Sequence, residues 1–408
     1  MNHPFKSDIA ILFSTRIIRL FCYGFLSVIL ALYLIQVGLT TKQIGLLFAF
    51  TLAGDAGISL WLTTSADRFG RRKTLIIGAL LMLGAGVVFI VTQNIVFLIT
   101  AAIIGVISPS GNEIGPFLSV EQASLSHLVS NENRTNVFAW YNLVGSFATA
   151  SGALAGGWLA HVLQNNGWSV LDSYKVILSG YALGGFVLAI LFLRLSSSVE
   201  VEEKVLAKAK VVLGLHRSRS VVMRLSALFA LDAFAGGLVI QSLIAYWFHV
   251  NFGINESVLG SIFFGANILA GISALLAVRI AKKIGLINTM VFTHIPSNIL
   301  LILVPLMPTL PLAILVLLLR FSISQMDVPT RQSYTMAVVA PDERSAASGV
   351  TAIARSIGAS VSPMLTGFFL ASPALFNVPF FLCGGLKIVY DLLLYREFRT
   401  VKPPEENR

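Results

Sequence analysis

The stretch "DRFGRRKTLIIGALLMLGAGVVFIVTQ" (residues 67–93) sets four bases around a glycine and then runs from Thr74 to Gln93 without a charge. An α-helix needs ~20 mainly apolar residues to cross ~30 Å of hydrocarbon, so 74–93 reads as a membrane span with a basic loop at one mouth. Working outward, the pattern recurs along the chain. Spans are expected over 10–35, 43–66, 74–93, 95–127, 134–163, 172–194, 221–250, 255–280, 286–306, 310–339, 343–371 and 376–396, numbered 1 to 12 below. Several contain Gly or Pro, which membrane helices tolerate where neighbours re-satisfy the freed backbone groups. Over 408 residues, 56% are hydrophobic, 12% are charged and mean hydropathy is +0.83, outside the range of a water-soluble globular domain. The expectation is an all-α membrane protein with twelve transmembrane helices.

The net charge of +10 invites a nucleic-acid reading, which the placement of the charges removes. Apart from the bases well inside the spans, bases gather in and beside the even-to-odd loops and at both termini, and only Lys42 and Lys175 lie on the opposite side. Well inside the spans, six bases (Arg16, Arg19, Arg320, Arg331, Arg355, Lys387) are matched by six acids (Asp55, Glu113, Glu121, Asp232, Asp327, Asp391). The whole excess therefore sits on one side, which the positive-inside rule makes cytoplasmic together with both termini. No nucleic-acid partner is implied; the surrounding partner is the lipid bilayer. Cys22 and Cys383 both fall in spans, giving neither a disulfide framework nor metal spacing, and no cofactor or metal is expected. The start "MNHPFKSDIA" lacks a small-residue cleavage site after the first apolar run and reads as a retained helix. No grouped histidines, no nucleophile with its base and no P-loop stand out, so an enzyme is not expected.

The chain repeats itself. At an offset of 215, "GLTTKQIG" (38–45) aligns with "GINESVLG" (253–260) and "DRFGRR" (67–72) with "KKIGLI" (282–287); at 210, "ENRT" (132–135) aligns with "DERS" (342–345). Three matches in register point to a duplication of six plus six helices: a first bundle over 1–194, a polar linker over 195–220 and a second bundle with its tail over 221–408. In the linker, Val201, Val205, Ala209 and Val212 fall near one helical face, which suits an interfacial helix; a disordered connection is the alternative.

Six plus six duplicated helices around a central loop resemble the major facilitator superfamily, and "DRFGRRK" (67–73) is similar to that superfamily's signature between its second and third helices. Asp67, Arg68, Gly70, Arg71 and Arg72 match the pattern, while Thr63 stands where a glycine is usual. The resemblance implies a cytoplasmic latch in which Asp67 meets Arg71 or the positive end of span 11. A fainter likeness joins "GALAGG" (152–157) to the Gly-Pro-x-x-Gly-Gly run of antiporters, with Ala153 in place of the proline; close packing through small residues explains it equally. Span 4 also lacks the early arginine of many proton-coupled drug exporters.

The buried charges supply the candidate site. An isolated charge at mid-bilayer costs about 2.5–3.5 kcal/mol on insertion scales, so these groups must pair or line water. Lys387 and Asp391 are spaced to neutralise each other along one helix, and Arg320, Asp327 and Arg331 form a stripe on span 10. The offset of 210 lays Glu121 on Arg331, and the resemblance places spans 1, 4, 7 and 10 around a central cavity, so these two are expected to face each other across the pathway. Glu113, interrupted by glycine and proline in "SPSGNEIGPFLSVEQ" (108–122), is a proton or substrate carboxylate. Asp55 and Asp232 are proton sites or partners for Arg19, while Arg16 and Arg19 lie either in the cavity or at the cytoplasmic surface. His127, His249 and His294 read as interfacial packing. The expected function is a monomeric secondary active transporter in the cell (inner) membrane, moving a small organic solute, with an anion favoured by the arginines, through proton-coupled alternating access. A proton-coupled multidrug antiporter and a non-transporting sensor on the same fold are the alternatives. If Asp67 works as a latch, Asp67→Asn impairs flux in reconstituted vesicles while folding and insertion stay intact; ordinary flux from a well-expressed variant would count against it.

Overall fold

The computed structural model describes the backbone of residues 3–112, 117–129, 131–200, 217–340 and 343–401, leaving aside the side chains of 3–6, 62–68, 127, 131–136, 139, 345 and 346. Among the described residues, regular structure is helical throughout. Spans 1 to 3 are α1 (His3–Gln36), α2 (Thr41–Phe69) and α3 (Arg71–Val91). Span 4 is broken into α4 (Ile95–Ile104) and α5 (Phe117–Leu128), and spans 5 and 6 are α6 (Asn131–Asn165) and α7 (Val170–Leu193). Span 7 is divided into α8 (Arg219–Gly237) and α9 (Gln241–Phe252), followed by α10 (Glu256–Ile284) and α11 (Leu286–Leu303). Span 10 is divided into α12 (Leu310–Phe321) and α13 (Asp327–Val338), before α14 (Arg344–Phe369) and α15 (Val378–Phe398). This is the all-α, twelve-span architecture that the hydropathy pattern called for.

The three broken spans share a physical cause. Runs such as "GVISPSGN" (105–112), "GGLVI" (236–240) and "SISQM" (322–326) hold glycine, proline or small polar residues where a straight helix would want Leu or Ala. Inside a bilayer the freed carbonyls need protein donors. Tyr181 Oη donates to Val106 O at 2.9 Å, Ser242 Oγ to Pro109 O at 2.7 Å and Ser108 Oγ to Asn112 O at 2.8 Å. Val106 itself has φ 56°, a left-handed backbone that a β-branched residue holds only when its surroundings insist.

Two compact units follow. The first comprises Met1–Thr40, Phe50–Lys210 and Gln241–Phe264; the second comprises Thr41–Ala49, Val211–Ile240 and Gly265–Arg408. Each thus takes one short segment, 241–264 or 41–49, from beyond the bundle limits of 1–194 and 221–408. In the first unit α1 is the central helix, packed by α6, α7 and α9. In the second, α8 packs on α14 and α15, and α11 packs on α13 and α15, around a core that includes Phe229, Met290, Tyr334 and Tyr390. Exposed positions carry large apolar groups such as Trp61, Val91, Phe97, Trp158 and Leu183, a surface suited to acyl chains rather than water.

The duplication is visible in the backbone. Gly70 and Gly285, related by the offset of 215, both precede a helix with positive φ, 97° and 87°. A close contact is also made twice. In the second unit, a Cβ on Gly45 would lie 2.4 Å from Pro363 O and 2.8 Å from Gly367 Cα. In the first unit, a Cβ on Gly157 would lie 2.1 Å from Glu256 O and 2.9 Å from Gly260 Cα. The repeat relates Gly45 to Gly260 and Gly157 to Gly367, so each contact is the other's counterpart. The glycines of "GALAGG" therefore serve backbone-to-backbone packing. Overpacking such a contact costs about 1–3 kcal/mol, so Gly45→Val and Gly157→Val should each lower the thermal midpoint of the purified protein. Gly57→Ala, whose Cβ would meet nothing within 4 Å, should leave it unchanged.

Candidate functional site

In the first unit the charges converge on Glu121. α5 carries its carboxylate against α1, where Arg19 binds both oxygens, Nη1 to Oε1 at 2.9 Å and Nη2 to Oε2 at 2.7 Å. Thr15 Oγ1 donates to Oε1 at 2.9 Å, and the Tyr141 hydroxyl from α6 donates to Oε2. Arg19 and Glu121 side chains are both wholly buried. The Arg19 guanidinium also stacks 4.5 Å from the Phe117 ring centroid, and Arg16 lies 4.2 Å from that of Tyr141 while donating to Asn142 Oδ1 at 3.3 Å. A two-pronged arginine–carboxylate pair with its remaining lone pairs filled is the geometry in which a buried ion pair offsets its desolvation.

In the second unit the charges converge on Asp232, delivered by α8. Lys387 Nζ from α15 donates to Oδ1 at 2.5 Å, while Arg355 Nη1 from α14 and Arg331 Nη1 from α13 donate to Oδ2 at 3.0 and 3.3 Å. Arg331 Nη1 also reaches Asp327 Oδ2 at 2.7 Å, one turn earlier on α13. Three cations thus share two carboxylates. Asp232 is 3% exposed, whereas the Arg355 side chain is 33% exposed. Arg320, at the end of α12, has a buried Nε without a partner and stacks 4.9 Å from the Phe321 ring; among the described residues no carboxylate lies within ion-pair reach of it. Arg320, Lys387 and Asp232 are all electrostatic neighbours of the Cys383 thiol.

Several expectations are corrected. Glu121 and Arg331 do not pair: each is saturated by partners of its own unit, Glu121 by Arg19 and Arg331 by Asp327 and Asp232. Lys387 and Asp391 do not neutralise each other, because Lys387 turns to Asp232 while Asp391 accepts from His294 and Asn298. His294 is buried in that hydrogen bond rather than interfacial. Arg320 is cut from the Asp327–Arg331 stripe by the break at 322–326. Arg16 and Arg19 are both buried within the first unit. Asp55 is half-buried and accepts from Ser59 Oγ at 3.0 Å. Glu113 lies outside the described residues. Tyr141 and His294 join the two charge sets although neither was a candidate; any mid-span charge must find a partner, but sequence does not say which of six acids it takes.

The basic loop also has a firm geometry. Gly70 turns the chain into α3, where the Glu200 carboxylate accepts from Arg71 N at 2.7 Å and Arg72 N at 3.1 Å. The Arg71 side chain donates to Val199 O at 3.3 Å and the Arg72 guanidinium to Leu193 O. Glu343 caps the chain ahead of α8 in the same way, taking Arg217 N and Ser218 N at 2.8 Å each. Asp67 and Arg68 side chains lie outside the described residues.

Breaking a buried ion pair by removing one partner costs about 3–5 kcal/mol, while replacing both is often neutral. Arg19→Gln and Glu121→Gln should therefore each depress the thermal midpoint strongly, and the double variant should recover much of the loss. Glu121→Gln combined with Arg331→Gln should instead show additive losses, since the two groups share no partner.

With the geometry in place, the chain can be set beside known proteins. The Major Facilitator Superfamily profile matches residues 12–363 and residues 225–408. A Saccharomyces cerevisiae relative, the uncharacterized membrane protein YJR124C, is 31% identical over 417 aligned positions, covering 95% of this chain and 93% of its own. Among solved structures, a bacterial homolog of the human lysosomal transporter Spinster, inward-facing and occupied, superposes with TM-score 0.76 at 15% identity, covering 98% of both chains. The D-xylose–proton symporter gives 0.74 at 14% identity, covering 98% of this chain and 99% of its own. Profile and relatives span both charge sets and the signature loop alike, and they place the chain among transporters rather than enzymes: this multi-pass membrane protein belongs to the major facilitator superfamily.

Proposed function

We propose that the chain is a secondary active transporter that moves a small organic anion by proton-coupled alternating access, with both termini cytoplasmic. Its two six-helix bundles, 1–194 and 221–408, are the moving bodies and 195–220 joins them. Asp67, Arg68, Gly70, Arg71 and Arg72 form the latch between states, and Asp55 and Glu113 are further carboxylates of the pathway.

The observation that carries the reading is the unequal sharing at Asp232: Arg331, Arg355 and Lys387 bind one another's counter-ions, Asp232 and Asp327, with one positive charge in excess. An uncompensated buried cation is costly, and a carboxylate or phosphate on the solute relieves it. Guanidinium groups present a planar fork matched to such anions, and Arg355 is the accessible one of the set. Arg320, with a buried Nε and no carboxylate in reach among the described residues, adds a second donor of the same kind.

The test uses the full chain in proteoliposomes with labelled lactate, succinate and benzoate under an inward acid gradient. At least one anion should accumulate, and Arg355→Gln should weaken its half-saturation about tenfold, the equivalent of one charge-assisted hydrogen bond. Transport of a cationic dye with none of the three anions would restore the multidrug reading. Anion binding with no flux would make the chain a sensor.

A further inference from the structure

We propose that His294 and Asp391 form the proton-binding site of the transport cycle, and that the proton held there creates the positive charge which the organic anion answers. The inference rests on the anion reading above. His294 on α11 places Nδ1 2.9 Å from Asp391 Oδ1 and 3.1 Å from Oδ2, and Asn298, one turn on, donates to Oδ2 at 3.1 Å. The two side chains are 5% and 1% exposed, far from ordinary surface histidine chemistry. Imidazole is the side chain that exchanges a proton between about pH 5 and 8, the range that a cellular pH gradient samples.

The surroundings connect this pair to the solute cluster. On α15, Lys387 stands one turn before Asp391, and the Tyr390 ring lies 6.1 Å from the imidazole, edge-on. From α8, Asp232 is an electrostatic neighbour of both His294 and Asp391. Behind it stand Asp327 and Arg331 of α13 and Arg355 of α14. Lys387, which could have neutralised Asp391, is held by Asp232 instead. While His294 is neutral, ionised Asp391 offsets the excess positive charge of the Asp232–Asp327 set, and Arg320 of α12 stands apart as a further cation. A proton taken onto the His294–Asp391 hydrogen bond leaves the set with one positive charge. A bound monoanion restores balance, and proton and anion leaving together return the set to its starting charge. Over the whole cycle a proton and a monoanion cross together and no net charge is moved, which is the condition for an electrically silent symport.

One proton per anion lets a gradient of one pH unit support about tenfold accumulation. In the proteoliposome assay, His294→Gln and Asp391→Asn should bring accumulation down to the equilibrium level, about tenfold below the unsubstituted chain at that gradient, while downhill exchange stays measurable. Arg355→Gln should raise the half-saturation for the anion without removing the pH dependence. Accumulation retained by both His294→Gln and Asp391→Asn would overturn the proton site and leave the anion reading standing. A ligand-free arm separates the two ideas further. Infrared difference spectra of the purified full chain across pH 5–8 should carry a titration present in Gly57→Ala and absent in His294→Gln and Asp391→Asn. An unchanged titration in both variants would also overturn the site. Loss of the titration with none of lactate, succinate or benzoate transported would keep the proton site and remove the anion. Asp391→Asn, which retains an acceptor for Asn298, serves where His294→Gln fails to fold.

Discussion

Asp232 is one carboxylate answering three cations, and most of the second unit is arranged to let it do so. α8 brings the acid, α13, α14 and α15 bring Arg331, Arg355 and Lys387, and the aromatic core of Phe229, Tyr334 and Tyr390 packs these same helices. In water such a cluster would contribute little, because exposed ion pairs are screened and entropically costly. In a hydrocarbon setting no helix carrying one of these charges can be moved without stranding it. The helices are thereby indexed to one another by charge, where two apolar surfaces in lipid would slide with little preference. Glu121 does the same for α1, α5 and α6, but there every lone pair is spoken for. The first unit holds a finished strut; the second holds a set with charge left over.

How much of this was legible in sequence depends on the range of the physics involved. Span positions, the six-plus-six repeat and the signature loop rest on local hydropathy, short motifs and glycine spacing, and all were readable along the chain. The breaks were half readable. "SPSGNEIGPF" announced a disturbed span 4, but not that the helix stops at Ile104 or that Tyr181 and Ser242 would take over its carbonyls. Charge partners were hardly readable at all. Spacing favoured Lys387 with Asp391 and the repeat favoured Glu121 with Arg331, yet Lys387 took Asp232, 155 residues away, and Glu121 took Arg19, 102 away, while Arg331 kept its i, i+4 neighbour Asp327 and added Asp232. A side chain in a low-dielectric core takes the best geometry in three dimensions, and i, i+4 proximity is only one offer among several.

The linker shows the same limit from another side. Nothing in "EVEEKVLAKAK" (residues 200–210) marks Glu200 as different from its neighbours. In the fold it holds the first two amides of α3, and its counterpart Glu343 holds the chain entering α8. The free amides of a helix start are a fixed demand, and a carboxylate anywhere in the chain can meet it. Gly70 contributes by turning the backbone so that those amides present themselves together.

The make-up of the first unit bears on biogenesis. Its packing is completed by Gln241–Phe264, a segment synthesised after the linker and after the whole of α8. Ser242 must arrive before Pro109 O gains its donors, and Gly260 before Gly157 finds its contact. A ribosome that has delivered only the first six spans has therefore made a body with an unsealed face and an unwound stretch short of hydrogen-bond donors. Domains made in sequence on the ribosome usually close one after the other, with the N-terminal one first. Here the first cannot close until the eighth span has begun to emerge, so the nascent chain needs shelter at the translocon for that interval, and its two halves mature as one event.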